Sequence, residues 1–384
     1  MHPDDHPHEI HAVPLWDTRS VDEQIILGVL AITLGVVVGV LLFVPFVALS
    51  YRRRGGFGVG RFVVWGAALV YVMAIWTYTL LPLPHPDTIA CAGVNIDVTA
   101  IAADLRGAIV RRGSGFATDP AVLQLLLNVL LFVPLGFFLR VLGGRGVVTA
   151  LVVGVGLSGF VEVTQLTGVW GLYPCAYRVF DVDDLLTNTL GAVLGSLLAL
   201  AVPRRYRGSP RLPDADRPQP VTRGRRLLGM LCDGLASWVL TLTVVVAVQL
   251  VLYLLGADAA VRDGSAANLI GSAVPIVVWL VATLATGGTI GDHAVQVRFT
   301  GGPLPVGLAR FLRFVTGIGG YLVLNALPGA WTFVASVFAV VSIVLVFTTD
   351  TRRGLPGLAS GQRLTDAREL QEPDAAPPGP SHAR

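Results

Sequence analysis

The sequence predicts an all-α, polytopic membrane protein with about nine transmembrane helices. The chain has 384 residues, of which 53% are hydrophobic and 14% are charged, and its mean hydropathy is +0.69. Soluble domains usually carry about 25% charged residues. Apolar runs of about 18 residues or more recur along the chain. These runs are continuous rather than alternating, so helices are predicted and a barrel is not.

The positions of the arginines predict how the helices are oriented. Arginine-rich loops remain on the cytoplasmic side of a membrane. Arg52, Arg53 and Arg54 follow the first apolar run, so we expect the N-terminus outside and, after about nine spans, the C-terminus in the cytoplasm. The first residues lack the basic start and short apolar core of a signal peptide. The net charge of +3 is too small to indicate nucleic-acid binding.

Each predicted span is an apolar run between polar or turn residues. The runs are 25–49, 62–83, 121–139, 147–166, 182–202, 227–255, 268–286 and a pair of helices within 311–348. The last stretch is too long for one span and is interrupted at Pro328-Gly329, so it is divided into two helices. Residues 98–110 have apolar positions at near-helical spacing, which predicts either a membrane-surface helix or a packed loop helix.

Composition divides the chain into five segments. Residues 203–224 are rich in Pro, Arg and Asp, as linkers often are. The segments are an extracytoplasmic tail (1–24), a membrane domain of five helices (25–202), a cytoplasmic linker (203–224), a second membrane domain (225–365) and a disordered tail (366–384). His2, His6, His8 and His11 lack the spacing of a known metal site, so we predict no metal and no other cofactor.

A set of polar residues is predicted to converge in the outer half of the membrane. Its members are Asn128, Glu162, Gln165, Arg178, Asp181, Asp184 and Asn188. Glu162 and Gln165 share a helix face at i,i+3. Asp181, Asp184 and Asn188 are predicted to form one stripe of another helix. Because charge inside a bilayer is costly, these residues form either a ligand site or a polar network that only staples helices together.

Small residues and cysteines predict two further contacts. Gly191 and Gly195 are an i,i+4 pair suited to close packing of helices. The topology places Cys91 and Cys175 on the same oxidising side, which predicts a disulfide between them. Spacing alone does not determine the geometry, so two unpaired cysteines are the alternative. Cys232 is predicted to lie inside a span.

Three motifs in the first half of the chain resemble those of a known family. They are Asn128 with Phe132-x-Pro134-x-Gly136, then Glu162-x-x-Gln165, then Arg178-x-x-Asp181-x-x-Asp184-x-x-x-Asn188-x-x-Gly191. Together they resemble the VanZ-like family of bacterial membrane proteins over about residues 60–202. That family takes its name from a glycopeptide-resistance accessory that lowers sensitivity to teicoplanin. The resemblance implies a role in the cell envelope and does not imply a particular reaction.

A second resemblance covers about residues 220–365. Arg226 begins an apolar run and can reach the interface, whereas Asp233 lies two turns further into the helix. With the loop 288–298 they resemble the RDD family, which is named for one Arg and two Asp and is suspected of transport or ion exchange. Pro356-Gly357 occupies the place of the second Asp, so this sequence lacks one of the two carboxylates that a relay in that family would use.

Three functions are compatible with these residues. The favoured one is binding or protection, in the bacterial plasma membrane, of an anionic lipid or a lipid-linked cell-wall precursor, with Arg178 holding the anion. The second is transport or ion exchange through the RDD-like half. The third is an enzyme acting on a lipid-linked substrate, for which the set lacks a Ser or Cys nucleophile with its base and a phosphatase-type His.

Overall fold

A computed structural model of the chain describes residues 21–81, 83, 89, 91–208 and 211–369. Nearly all of its regular structure is helical, which confirms the predicted all-α class. Among the described residues, eight helices are long and apolar enough to cross a membrane, or nine if one bent pair of helices is a single span. The prediction of about nine transmembrane helices is thereby confirmed.

The chain forms two compact units. Unit 1 consists of Met1–Gly39 and Val59–Ser209, and unit 2 of Val40–Gly58 and Pro210–Arg384. The predicted domain 25–202 thus differs from unit 1 at residues 40–58, which group with unit 2. These residues belong to unit 2 because the Leu212 amide donates to the Arg53 carbonyl at 2.8 Å. The Arg225 guanidinium also lies 5.2 Å from the centre of the Tyr51 ring.

Unit 1 is a helical bundle with two very short strands. Its elements are α1 (Val21–Arg54, whose second half belongs to unit 2), α2 (Val59–Leu80), β1 (Val94–Asn95), α3 (Ala100–Arg112), α4 (Pro120–Val141), α5 (Val147–Leu166), α6 (Gly168–Gly171), β2 (Phe180–Asp181) and α7 (Val182–Leu198). Because α1 begins at Val21, the last four residues of the predicted tail 1–24 are helical. The four N-terminal histidines lie outside the described residues.

Helices α4 and α7 make the closest approach in unit 1. A Cβ atom added at Gly191 would lie 2.1 Å from the carbonyl oxygen of Val129. At Gly195 it would lie 1.8 Å from that of Val133. Neither distance leaves room for a methyl group, so the predicted close contact at this glycine pair is confirmed. Phe132 on α4 is fully buried beside this contact.

One end of unit 1 is held together covalently. Cys91, which follows α2, forms a disulfide with Cys175, which precedes β2. Next to it, β1 and β2 pair in parallel, with Asn95 opposite Asp181. We call this the disulfide end; α2 and α5 end there, and α4 and α7 begin there. The 98–110 segment predicted to be helical forms α3, which lies between β1 and α4.

Besides the second half of α1, the described part of unit 2 contains eight further α-helices and two strands. They are α8 (Arg223–Leu254), α9 (Asp258–Asp263), α10 (Ser265–Thr286), α11 (Ile290–Ala294), β3 (Val297–Thr300), α12 (Val306–Val315), α13 (Ile318–Ala326), α14 (Trp331–Thr348), α15 (Gly354–Ser360) and β4 (Arg363–Asp366). The predicted break at Pro328-Gly329 separates α13 from α14. The first helix of that stretch is itself divided, because α12 and α13 meet at a bend of 47°.

Contacts within unit 2 show which helix ends lie together. The Arg223 guanidinium at the start of α8 lies 5.5 Å from the Phe347 ring at the end of α14. Arg310, near the start of α12, donates to the Leu284 carbonyl near the end of α10 at 2.6 Å. We call this the arginine end of unit 2. The bent pair α12–α13 begins at this end, and its two helices are long and apolar enough for a span only when they are taken together.

The predicted disordered tail is wrong for its first residues. Asp366 is the last residue of β4, which pairs antiparallel with β3, and both Asp366 and Arg368 are buried. Arg368 binds the Asp366 carboxylate and also donates to the Ala215 carbonyl at 2.6 Å. These polar contacts order the chain to at least residue 369. Residues 370–384 lie outside the described residues.

Candidate functional site

A cavity of about 590 Å³ lies at the disulfide end of unit 1. This volume is within the range typical of small-molecule sites. Its polar lining consists of Tyr71, Tyr78, Thr79, Gln124, Asn128, Glu162, Gln165, Arg178, Asp184 and Asn188. Its apolar lining consists of Leu127, Leu130, Leu131, Pro134 and Val161. The cavity therefore combines charged groups, amides and hydroxyls with an apolar wall.

Six of the seven predicted cluster residues line this cavity, and Asp181 does not. Asp181 precedes α7 as its N-cap, where its carboxylate accepts the backbone N–H of Asp183 at 2.9 Å. It also accepts from the Asn95 side chain at 3.3 Å. The predicted stripe through Asp181, Asp184 and Asn188 is wrong at its first member. A helical spacing does not apply to a residue with extended backbone.

Asn128 and Asn188 connect α7 to its two neighbouring helices. The Asn128 side chain on α4 donates to the Asp184 carboxylate on α7 at 2.5 Å. The Asn188 amide nitrogen donates to the Ser158 hydroxyl on α5 at 3.0 Å. The Asn188 amide oxygen is buried and accepts no hydrogen bond from the described residues. Buried acceptors usually have a partner, so this atom is available to a donor on a ligand.

Glu162, Gln165 and Arg178 meet around the end of α2. The carbonyl oxygen of Thr79 accepts from the Gln165 amide at 2.8 Å and from the Arg178 guanidinium at 3.1 Å. The Glu162 carboxylate accepts the backbone N–H of Asp181 at 3.0 Å. Glu162 and Gln165 are almost fully buried. Residues from α2, α5 and the segment before α7 are thus brought together by hydrogen bonds, as the i,i+3 spacing predicted for α5.

The apolar wall of the cavity reaches the surface of unit 1. Leu127 and Leu130 on α4 line the cavity, yet 51% and 63% of their respective surfaces are exposed. Both residues lie in a helix apolar enough to cross a membrane. Exposed leucines on such a helix face lipid. The cavity therefore opens beside an apolar helix surface.

Four polar lining residues were not identified from the sequence as site residues. They are Tyr71, Tyr78, Thr79 and Gln124. Tyr71 and Tyr78 lie seven residues apart on one face of α2, a spacing that could have indicated a polar stripe. Thr79 acts through its backbone carbonyl, which no residue pattern marks. Within the described residues, no group of three or more His, Cys, Asp or Glu is placed to hold a metal ion.

The two residues singled out in the second half, Arg226 and Asp233, lie near each other in unit 2. Arg226 forms an ion pair with Asp292 at 2.6 Å. Asp233 accepts hydrogen bonds from Trp279 and from the backbone of Gly291. Asp292 was not recognised from the sequence, although it forms a capping box at the start of α11. That signature is visible as Thr289 followed three residues later by an acid.

These features define a multi-pass helical membrane protein with a polar cavity at one end of a helical bundle. A model of the VanZ/LLP1 family matches residues 68–203. The matched segment contains every residue that lines the cavity of unit 1. With the apolar helices, the match indicates a membrane protein of the bacterial envelope. Comparison with curated proteins and with solved structures gives no significant match. The resemblance of the second half to the RDD family stays a prediction.

Proposed function

We propose that unit 1 binds the anionic headgroup of an envelope lipid or a lipid-linked cell-wall precursor in the bacterial plasma membrane. The observation that supports it best is the composition of one cavity. It places the Arg178 guanidinium, four amide side chains and an apolar wall around a space of about 590 Å³. A guanidinium binds phosphate or carboxylate with two parallel hydrogen bonds, which makes it well suited to such a headgroup.

The remaining polar groups have complementary roles in this proposal. Gln165 and Asn188 supply amides to headgroup oxygens or hydroxyls, and the buried Asn188 amide oxygen accepts from a ligand donor. Glu162 and Asp184 hold the site in shape through their bonds to the Asp181 backbone and to Asn128. A lipid-linked ligand fits because its chain can lie along the exposed Leu127 and Leu130 while its headgroup enters the cavity.

The competing interpretation is that the cluster only holds the helices together. The Asn128–Asp184 and Asn188–Ser158 hydrogen bonds join three helices without any ligand. Removing one partner of such a network would destabilise the fold. The two interpretations predict different effects of substituting a cluster residue. At a ligand site the variant loses binding while it remains folded, whereas in a purely structural network the variant loses its fold.

The test measures binding by the full chain in detergent micelles, with native mass spectrometry as the readout. The probes are phosphatidylglycerol and undecaprenyl phosphate, and phosphatidylcholine serves as the zwitterionic comparison. Arg178→Gln is expected to lower the binding affinity for both anionic probes about tenfold or more, because a charge-assisted hydrogen-bonded pair is lost. Arg106→Gln is the matched control, since Arg106 is an exposed arginine on α3 of the same unit.

A second arm asks whether the site protects cells. A bacterial host expresses the unaltered protein, Arg178→Gln, Glu162→Gln or Arg106→Gln at matched membrane abundance, and its growth is measured with a lipid-targeting glycopeptide. We expect protection from the unaltered protein and the control and less from the two site variants. Abundant, folded Arg178→Gln that binds and protects normally would contradict the proposal. Loss of both site variants from the membrane would favour the interpretation that the cluster only holds the helices together.

Ion exchange through unit 2 is less well supported. Asp233 is buried inside α8, as an exchanger's carboxylate would be. Its oxygens, however, accept hydrogen bonds from Trp279, Thr289 and the Gly291 backbone at 2.6–2.9 Å. A carboxylate with that many protein donors is better suited to anchoring α11 against α8 than to releasing a cation.

A further inference from the structure

Unit 2 contains its own cavity, of about 500 Å³, at the arginine end. Its polar lining includes Arg226, Asp233, Asp292 and Arg313, which come from α8, α11 and α12. Both arginines are at least nine-tenths buried. Buried charges need partners, so the way in which these four groups satisfy one another determines which ligand the cavity can accept.

The two carboxylates already accept hydrogen bonds from the protein on each oxygen. One oxygen of Asp233 accepts from Trp279 and the Gly291 backbone, and the other accepts from the Thr289 hydroxyl. One oxygen of Asp292 accepts from Arg226 at 2.6 Å, and the other accepts from the Thr289 backbone at 3.2 Å. These acids are therefore occupied, and they offer little to a cation.

The two arginines, by contrast, have donors to spare. Arg313 donates from Nη1 to the Gly287 carbonyl at 2.6 Å. The Nε groups of Arg313 and Arg226 are buried without a hydrogen-bond partner among the described residues. A guanidinium has five N–H donors and no acceptor. Both guanidinium groups also lie over the Phe299 ring, at 4.9 and 5.5 Å. The cavity thus has an excess of fixed donors, which an anion would satisfy.

The remaining lining of the cavity is mostly apolar, although it also contains several hydroxyl-bearing side chains. Its lining along α14 extends from Phe338 to Val346, eight residues or about 12 Å of helix. Leu231 on α8 and Ile343 on α14 line it too, although 49% and 44% of their respective surfaces are exposed. Both belong to helices that can cross a membrane. The mouth of the cavity therefore lies between two apolar helices, where lipid chains would be found.

We propose that this cavity binds a single-chain anionic amphiphile, whose carboxylate or phosphate head meets Arg313 and Arg226 and whose acyl chain lies along α14. The charge complementarity comes from the unused guanidinium donors, and the chain accounts for the apolar lining. The site is separate from the cavity of unit 1, and it does not depend on the function proposed there.

The test uses the full chain in a neutral detergent and a fluorescent stearate analogue as the bound probe. Oleate, oleoyl lysophosphatidate, monooleoylglycerol and inorganic phosphate are the competitors. We expect oleate or lysophosphatidate to displace the probe at concentrations about tenfold or more below those needed for the neutral monooleoylglycerol. Whichever of the two anions displaces the probe at the lower concentration shows whether the site prefers a carboxylate or a phosphate head. Phosphate alone should not compete.

Two substitutions and one control locate the site. Arg313→Gln should weaken probe binding about tenfold or more, whereas Arg310→Gln should not, because the half-buried Arg310 lies on the same helix outside the lining. Gly234→Phe should abolish binding by filling the cavity, since a Cβ at Gly234 would meet nothing within 4 Å. Arg178→Gln in unit 1 should have no effect.

Three results would overturn the proposal. The first is equal displacement by the neutral and the anionic lipids. The second is a folded Gly234→Phe variant that binds the probe normally. The third is an equal effect of Arg313→Gln and Arg310→Gln. If Arg313→Gln does not fold, the lipid comparison on the unaltered protein and the Gly234→Phe result still decide the question. An unaltered protein that does not bind the probe would also contradict it.

Discussion

The ionisation of the buried Asp366 carboxyl group is controlled by its arginine partners. Arg368 binds its carboxylate with two hydrogen bonds of 2.8 and 2.6 Å, and Arg225 donates a third at 2.8 Å. Burial by itself would raise the pKa of Asp366, but the hydrogen bonds from Arg368 and Arg225 hold that pKa well below its usual range. The ionised carboxylate therefore stabilises the fold of unit 2, where it joins β4 to the start of α8.

Asp366→Asn is expected to lower the free energy of unfolding by about 3–5 kcal/mol at neutral pH, because it leaves two buried arginines without their anion. The native pKa lies below the unfolded-state value of about 3.9. The contribution is therefore complete above that pH and is lost as the pH falls toward the native pKa. Thermal unfolding of the unaltered protein and of Asp366→Asn should be measured from neutral pH to about pH 3. The difference between their unfolding temperatures should become smaller below about pH 4.

Asp214→Asn is the control for this measurement. Asp214 forms an exposed ion pair with Arg217, and exposed pairs contribute little to stability. We expect the control to unfold at nearly the same temperature as the unaltered protein at every pH. Equal effects of the two substitutions, or a difference that grows as the pH falls, would contradict the assignment of Asp366.

At the scale of elements, the α4–α7 contact positions the cavity of unit 1. Gly191 and Gly195 allow the α7 backbone to approach α4 closely enough for carbonyl oxygens to occupy the space of missing side chains. Asn128 and Asp184, whose hydrogen bond contributes to the cavity lining, lie on these same two helices toward the disulfide end. A change in the helix separation would therefore disturb both the packing and the site.

Gly195→Ala is expected to destabilise the protein by about 1–3 kcal/mol through overpacking. Gly156→Ala on α5 is the matched control, because a Cβ there would meet nothing within 4 Å. The control should be neutral or slightly stabilising, since Ala favours a helix over Gly by about 1 kcal/mol. Thermal unfolding in detergent compares the two. If Gly195→Ala is as stable as Gly156→Ala, then α4 and α7 can move apart without loss of stability, which would contradict this prediction.

At the scale of the whole molecule, the orientation in the membrane is still a prediction. The arginines predict the disulfide end of unit 1 outside and the predicted linker, residues 203–224, in the cytoplasm. Ser114, in the 3-10 helix that follows α3, and Asp214 are both exposed. Single cysteines at these two positions should therefore be distinguishable from outside the cell.

In intact cells, Ser114→Cys should react with a membrane-impermeant maleimide, and Asp214→Cys should react only after permeabilisation. The unaltered protein provides the background, because its free cysteine, Cys232, is buried and the other two form a disulfide. The reverse labelling pattern would show that the predicted orientation is wrong. Labelling of both positions in intact cells would contradict the assignment of Asp214 to the cytoplasmic side.

The sequence by itself determined the class of fold and most of the residues in the first cavity. Hydropathy acts locally, so the membrane helices could be recognised one at a time. Glu162 with Gln165 and the glycine pair of α7 were found because neighbours on one helix face repeat at fixed spacing. The break at Pro328-Gly329 was also visible, since Pro and Gly interrupt helices wherever they occur.

Only the tertiary structure decided which groups meet across the chain. The Thr79 carbonyl receives Gln165 and Arg178 because α2 ends beside α5, and a backbone atom leaves no mark on a residue pattern. Asp181 left the predicted stripe because it caps α7. Arg313 comes to lie with Arg226 over one aromatic ring. Such contacts depend on how distant helices pack, and that packing is a property of the whole fold rather than of any local spacing.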